Sequence, residues 1–214
     1  MNNVVHDIAY HDRARIDIFD LLPDNCSRVL EVGVGTGATI AALKNVRKVA
    51  FTAGMELSEI AGASASAHVN EVLIGDVEKT SIPSHWRDFD LILCLDVLEH
   101  LVDPWHVVER LHERLAPNGA ILASIPNVNH MSVSLPLLLR GRWELADAGI
   151  LDRTHLRFFV KKTAIELMTC SGLHLQAIAL GGLPTRSRRW RANKLTAGVF
   201  ERFLAPQYYL RVGH

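Results

Sequence analysis

The residues best suited to chemistry near the start of the chain are Glu31, Gly33, Gly35 and Gly37. They fall in the stretch Val29-Leu30-Glu31-Val32-Gly33-Val34-Gly35-Thr36-Gly37-Ala38. A β-friendly run enters a glycine cluster and a helical pattern leaves it, which reads as strand, tight turn, helix. Glycine carries no Cβ, so a ligand can lie against the main chain. The first N–H groups of the next helix face the same space. Gly33-x-Gly35-x-x-Ala38 fits the dinucleotide fingerprint, and Glu56 lies about where the ribose-binding acid belongs. On this stretch alone an NAD(P)-dependent oxidoreductase is a fair competitor, and a glycine turn that serves only the fold is the plainer reading.

Elements must hold that turn in place. Residues 11–22 put Ile16, Phe19 and Leu22 at helical spacing, and Pro23-Asp24-Asn25 ends the helix. Strand 1 is expected over 28–32, a helix over 37–45, and a second strand from Lys48 to Ala53 that ends near Gly54-Met55-Glu56. Ser58 caps a helix to about 68, and Glu71 to Ile74 is a short third strand. Phe89 to Leu95 is almost wholly apolar, the mark of a strand buried on both faces. Pro104 suits the first turn of a helix to about Leu115, Pro117-Asn118-Gly119 reads as a turn, and Ala120 to Ile125 is a fifth strand. The strand–helix alternation predicts a parallel sheet with right-handed crossovers. From 126 to 160 the rhythm breaks into a long irregular insertion, which in a compact domain usually serves a site. Lys161 to Ser171 is a helix closed by Gly172. Leu173 to Leu180 is a sixth strand, and Gln207 to Val212 a last one.

Composition narrows the function classes. The chain has 214 residues, 49% of them hydrophobic, enough for one α/β domain with a real core. Its 23 basic and 23 acidic residues cancel, so no global field draws it to nucleic acid. Cys26, Cys94 and Cys170 have no C-x-x-C spacing, which argues against a disulfide framework or a zinc site. The N-terminal residues are polar rather than signal-like, and no apolar run reaches the length of a membrane span. A cytoplasmic protein is expected.

Five pieces in order carry a family resemblance. Glu31-x-Gly33-x-Gly35-x-Gly37 resembles the first motif of the class I S-adenosylmethionine-dependent methyltransferases, and Glu56 resembles their ribose-binding acid. Gly75-Asp76-Val77-Glu78 resembles their adenine-binding turn. Phe89-Asp90-Leu91-Ile92 through Asp96-Val97-Leu98-Glu99-His100-Leu101 resembles the fourth-strand motif, and Leu115 to Ala120 the approach to strand 5. The stretch Gly149-Ile150-Leu151-Asp152-Arg153-Thr154-His155-Leu156-Arg157-Phe158-Phe159 is similar to a bacterial branch associated with small-molecule and glycan biosynthesis.

The resemblance implies a Rossmann-like, seven-stranded, doubly wound α/β sheet, mostly parallel, with an antiparallel last strand. The strands at 173–180 and 207–212 would form a reversed hairpin at one edge. It implies a single domain over 1–214: an N-terminal helical cover (1–25), a substrate-side insertion (126–160) and a basic, amphipathic segment (183–205). The implied cofactor is S-adenosyl-L-methionine, held by Glu31, Gly33, Gly35, Gly37, Glu56, Leu57, Asp76, Val77, Leu95 and Asp96. Glu56 would take the ribose diol and Asp76 the adenine amino group. Glu31 would either orient the methionine end or hydrogen-bond the loop itself.

Methyl transfer needs an aligned acceptor and a dry site, and a hydroxyl acceptor also benefits from a base. His100, after strand 4, and His155, beside Asp152 in the insertion, are the candidate bases. Asn127, His130, Trp143 and Asp152 are the candidate acceptor-side residues. His100, His106 and His112 do not form an H-E-x-x-H site, so no metal is expected. The expected acceptor is a small molecule or glycan, probed against two other readings: the oxidoreductase and a non-catalytic cofactor-binding partner subunit. Arg186, Arg188, Arg189, Arg191 and Lys194 read as a solvated face, with a peripheral membrane contact through 186–204 and a homodimer left open.

Overall fold

The computed structural model describes residues 13–182 and 200–214. The basic run at 186–194 and the first part of the N-terminal cover lie outside them. Seven strands form one sheet in the order β3-β2-β1-β4-β5-β7-β6. They are β1 (Arg28–Val32), β2 (Phe51–Glu56), β3 (Glu71–Ile74), β4 (Phe89–Leu95), β5 (Leu115–Pro126), β6 (His174–Gly181) and β7 (Gln207–Gly213). The first five pair in parallel, whereas β7 lies antiparallel between β5 and β6. The expected fold class and the reversed hairpin are both present.

Six α-helices accompany the sheet among the described residues: α1 (Ala38–Val46), α2 (Glu59–Ala65), α3 (Pro104–His112), α4 (Met131–Arg140), α5 (Lys161–Met168) and α6 (Glu201–Leu204). Strand β4 shows how the sequence builds the core. Alternate residues of a strand face opposite sides. Leu91, Leu93 and Leu95 join one apolar cluster with Ile18, Ile40 and Leu43. Ile92 and Cys94 join another with Val107, Leu111 and Leu167. Both faces of β4 are covered, which accounts for its unbroken apolar run.

Four local expectations need correction. The N-terminal segment is a 3-10 helix, Ile16–Leu21, rather than a longer α-helix. Its tighter turn exposes Ile16 at 64% and buries Ile18 instead. Strand β2 starts at Phe51, where Ser27 O accepts the N–H groups of Ala50 and Phe51. Helix α3 stops at His112, and Pro117-Asn118-Gly119 lies within β5 as an irregularity. There Phe89 pairs with Leu115 and Leu91 with Ala120, so five steps on one strand match two on the other. The segment 126–160 holds a ten-residue helix, α4, with Pro136 inside it. Proline in a helix interior removes one hydrogen bond, and that signal hid the helix in the sequence.

Candidate functional site

The candidate site lies at the carboxyl ends of β1, β2, β4 and β5, the edge where open α/β sheets take ligands. Gly33, Gly35 and Gly37 have φ of +71°, +54° and +83°. Only glycine adopts this region at little cost. A Cβ on Gly33 would also stand 2.6 Å from Val97 Cγ2. The turn is fastened to β2: Met55 O accepts from Gly33 N at 2.8 Å and from Val34 N at 3.0 Å.

Glu56 ends β2 and reaches back to the same turn. Its Oε2 accepts from Gly35 N at 2.8 Å and its Oε1 from Ser58 N at 3.0 Å. Two backbone donors thus aim one carboxylate. Leu57 beside it is 73% exposed, whereas Leu95 at the end of β4 is buried. Glu31 is buried too. Burial pushes its carboxyl up to about 8, against the opposing pull of Thr39 and Arg15. Its Oε2 has no hydrogen-bond partner. A buried oxygen left unmatched costs stability unless a donor arrives.

Asp76 lies past β3. Its Oδ1 accepts from Glu78 N at 2.9 Å and its Oδ2 pairs with Lys79 Nζ at 2.7 Å. Those bonds, Lys79 first, hold its carboxyl below the usual range. The Val77 side chain turns into the core, and its carbonyl accepts from Arg110.

Asp96 follows β4 at φ +56°. Ser124 of β5 fixes it twice: Ser124 Oγ accepts from Asp96 N at 2.8 Å and donates to Asp96 Oδ1 at 2.6 Å. Oδ2 pairs with Arg15. Arg15 also donates to Tyr209 Oη at 3.2 Å and, through its backbone, to Thr39 Oγ1 at 3.3 Å. One guanidinium therefore joins the N-terminal segment, β4 and β7. Nothing in the sequence around Arg15 singles it out from its basic and acidic neighbours.

The two candidate bases meet. His100 and His155 pack edge to face with ring centroids 4.7 Å apart. Asp152 Oδ1 accepts from Thr154 N at 2.8 Å and from Thr154 Oγ1 at 2.6 Å. The Thr154 hydroxyl proton is thereby committed, and its oxygen, 3.1 Å from His100 Nδ1, is an acceptor. Thr154 O lies 3.3 Å from the same nitrogen. His100 accordingly carries its proton on Nδ1 and keeps the Nε2 lone pair. His155 Nδ1 likewise faces Ile150 O at 3.1 Å. Burial, then the neighbouring His155, lowers the His100 pKa.

Glu99 completes the group. Its carbonyl accepts from Leu156 N at 2.9 Å and Arg157 N at 3.0 Å, which docks the insertion onto the 3-10 helix Leu98–His100. Its side chain is buried, with Oε2 unpartnered. Burial and then Asp96 raise its pKa well above the ordinary value. One ligand atom each from Glu99, His100 and His155 lie within 4.8 Å of one another. The histidine spacing 100, 106, 112 gave no sign of this, because the third group comes from the distant D-R-T-H segment.

The acceptor-side candidates divide. Asn127 is fully buried: Nδ2 donates to Arg202 O and Ala205 O at 2.8 Å, and Oδ1 accepts from Asn129 N at 3.0 Å. It ties β5 to α6 as part of the frame, which corrects its assignment to the acceptor surface. His130 caps α4, with Nδ1 accepting from Ser132 N at 3.3 Å. Trp143 is 41% exposed and meets Phe158 edge to face at 5.2 Å. Asp152 reaches the site through Thr154.

Relatives place this geometry. A family profile described as a methyltransferase domain matches residues 9–178. The chain is 28% identical over 148 residues to a ubiquinone biosynthesis O-methyltransferase of Neisseria meningitidis serogroup A, covering 64% of this chain and 60% of that protein. It is 31% identical over 181 residues to a protein of the same name from Psychrobacter arcticus, covering 78% and 67%. The chain thus spans about three-fifths to two-thirds of the curated relatives it matches. A methyltransferase structure from Archaeoglobus fulgidus superposes with a TM-score of 0.65 at 16% identity, covering 94% of this chain and 91% of that one. One from Mesorhizobium loti gives 0.64 at 16% identity, covering 92% and 96%. These two likenesses concern the fold. With the family profile spanning most of its length, the chain belongs to the methyltransferase domain family.

Proposed function

We propose that this chain binds S-adenosyl-L-methionine and methylates a hydroxyl group of a small molecule. The observation that carries the reading is the unpartnered, buried Glu31 Oε2 beside a glycine turn that Glu56 holds open. A buried oxygen with no donor suits the ammonium of an amino-acid tail. Glu56 keeps lone pairs beyond those given to Gly35 and Ser58, and these suit two ribose hydroxyls. Asp76 and the Val77 backbone suit the adenine edge, with Leu57 and Leu95 as apolar walls and Asp96 fixing the loop between them. When bound, the cofactor's sulfonium supplies an electrophilic methyl group.

The chain's own residues then align and deprotonate the acceptor. His100 and His155 offer Nε2 lone pairs, and Thr154 with Asp152 keeps His100 in that tautomer. Phe158 lies 6.3 Å from the His155 ring and carries Trp143 against it, an aromatic pair suited to shielding an acceptor there from water. The relatives' named activity, O-methylation in ubiquinone biosynthesis, supports a small-molecule oxygen acceptor and offers nothing for a glycan. No helix among the described residues is long and apolar enough to cross a membrane.

Calorimetry with S-adenosylmethionine, S-adenosylhomocysteine and NAD(P)H tests the cofactor. The first two should bind with one site each, and binding of the nicotinamide alone overturns the reading. Methyl transfer to a panel of phenolic and aliphatic hydroxyls tests the reaction. Cofactor binding with no turnover across that panel favours a non-catalytic partner subunit.

A further inference from the structure

We infer that Glu99, His100 and His155 form a binding site for a divalent first-row transition ion of the zinc type. The inference rests on the proposed function only for its purpose, since the site itself is drawn from these three side chains. One ligand atom from each lies within 4.8 Å of the others. Glu99 is 1% exposed, and its Oε2 has no hydrogen-bond partner among the described residues. A buried carboxylate oxygen with neither donor nor cation is a rare arrangement, and a metal ion satisfies it.

Both histidines are prepared as ligands. A metal-bound imidazole needs its second nitrogen held by a hydrogen-bond acceptor, which fixes the ring and raises its basicity. His100 Nδ1 has Thr154 Oγ1 and Thr154 O, and His155 Nδ1 has Ile150 O. The nitrogens left to a ligand are the two Nε2 atoms. Two imidazoles and one carboxylate are the donor set of open three-ligand sites, which keep further positions for water or substrate. Bonds of about 2.0–2.2 Å bring the ligands to roughly 3.5 Å from each other, so binding draws the cluster together.

The ligands come from two segments. Glu99 and His100 sit on the loop after β4, and His155 sits on the insertion, which docks through Leu156 N and Arg157 N onto Glu99 O. The ion would therefore staple the insertion to the catalytic edge of the sheet. In its open position it would take the acceptor's oxygen and lower that hydroxyl's pKa, as bound zinc does for water. With both Nε2 atoms on the ion neither histidine can act as the base proposed above, so in the metal-loaded protein the acceptor's proton passes to solvent water.

The full chain, stripped with a chelator and dialysed, is titrated with Co²⁺ while its visible absorption is followed, and with Zn²⁺ in a calorimeter. One equivalent should bind, with ligand-field bands of a nitrogen–oxygen site. Glu99→Gln and His155→Ala should each weaken binding more than about a hundredfold, beyond the roughly 10–100-fold that loss of an outer hydrogen-bond partner costs. His155 lies on the insertion, so its variant leaves the core intact should Glu99→Gln fail to fold. Absence of saturable Co²⁺ binding, or binding unchanged in a folded His155→Ala variant, overturns the inference. S-adenosylmethionine binding is measured on the same stripped protein. If the cofactor binds and Co²⁺ does not, the metal site falls and the proposed function stands. If Co²⁺ binds at these residues and the cofactor does not, the reverse holds.

Discussion

Arg15 and Asp96 stand 81 positions apart in the chain and form an ion pair at the carboxyl end of β4. Both side chains are largely shielded, at 12% and 30% exposure. Arg15→Ala leaves Asp96 beside the buried Glu99 without the guanidinium that pairs with it. Breaking such a pair costs about 2–3 kcal/mol in a partly buried setting. Thermal melts should show a drop of several degrees, and cofactor affinity should fall at least about tenfold because the Asp96 loop loses its anchor. A variant that melts and binds like the parent removes Arg15 from the site.

Glu56→Ala deletes the acceptor of two backbone N–H groups, those of Gly35 and Ser58. Each buried donor left unmatched costs about 1–3 kcal/mol. The turn and the start of α2 should loosen together. We expect loss of cofactor binding by about a hundredfold with a folded, less stable protein. Calorimetry with circular dichroism on the same sample checks both parts. Full affinity in this variant would falsify the ribose role.

Gly33→Ala meets two obstacles, a φ of +71° and a Cβ 2.6 Å from Val97 Cγ2. Strain in the left-handed region costs about 1–2 kcal/mol before the clash is added. The double variant Gly33→Ala, Val97→Ala removes the clash and keeps the strained backbone. It should recover part of the lost stability in a urea titration and none if the clash is unimportant.

Glu31 gives a pH signature. Unfolded, its carboxyl titrates near 4.5, and folded, near 8. Between those values the unfolded chain has released a proton that the folded chain retains. Stability from this group is complete below 4.5 and is lost as the pH rises through about 8. Glu31→Gln cannot ionise and should lack that decline. Urea midpoints at pH 5 and pH 8.5 should show the variant gaining on the parent at the higher pH. An equal difference at both would remove the buried-acid account.

Much of this was legible in the chain. The apolar run Phe89 to Leu95 announces a strand covered on both faces, and the glycines after Glu31 announce a tight turn open to a ligand. These signals are local, because a few neighbouring residues decide them. Arg15 is different. Its role depends on β4 and β7 arriving beside it, and no residue near it in sequence encodes that meeting. Helix α4 was hidden by Pro136, whose local preference the surrounding leucines and the His130 cap override. The grouping of Glu99 with His155 joins two motifs that were each visible, and only the docking of the insertion brings them together. Asn127 shows the opposite case: a polar residue after a strand looks like a binding group until its amide is seen to be spent on Arg202 and Ala205.

The placement of β7 has a consequence for how the protein is made. Seventh in sequence, it is the strand that joins β6 to the rest of the sheet, so ribosomal synthesis delivers the keystone after everything it must hold. Until Gln207 to Gly213 emerge, β5 presents a bare ladder of hydrogen-bonding groups and Arg15 has no Tyr209 to meet. Nascent chains paused before this point carry an adhesive flank that invites pairing with their neighbours. Expression yield should therefore respond to the speed of translation through the codons for Gln207 to Gly213 and to chaperones that shield open strands.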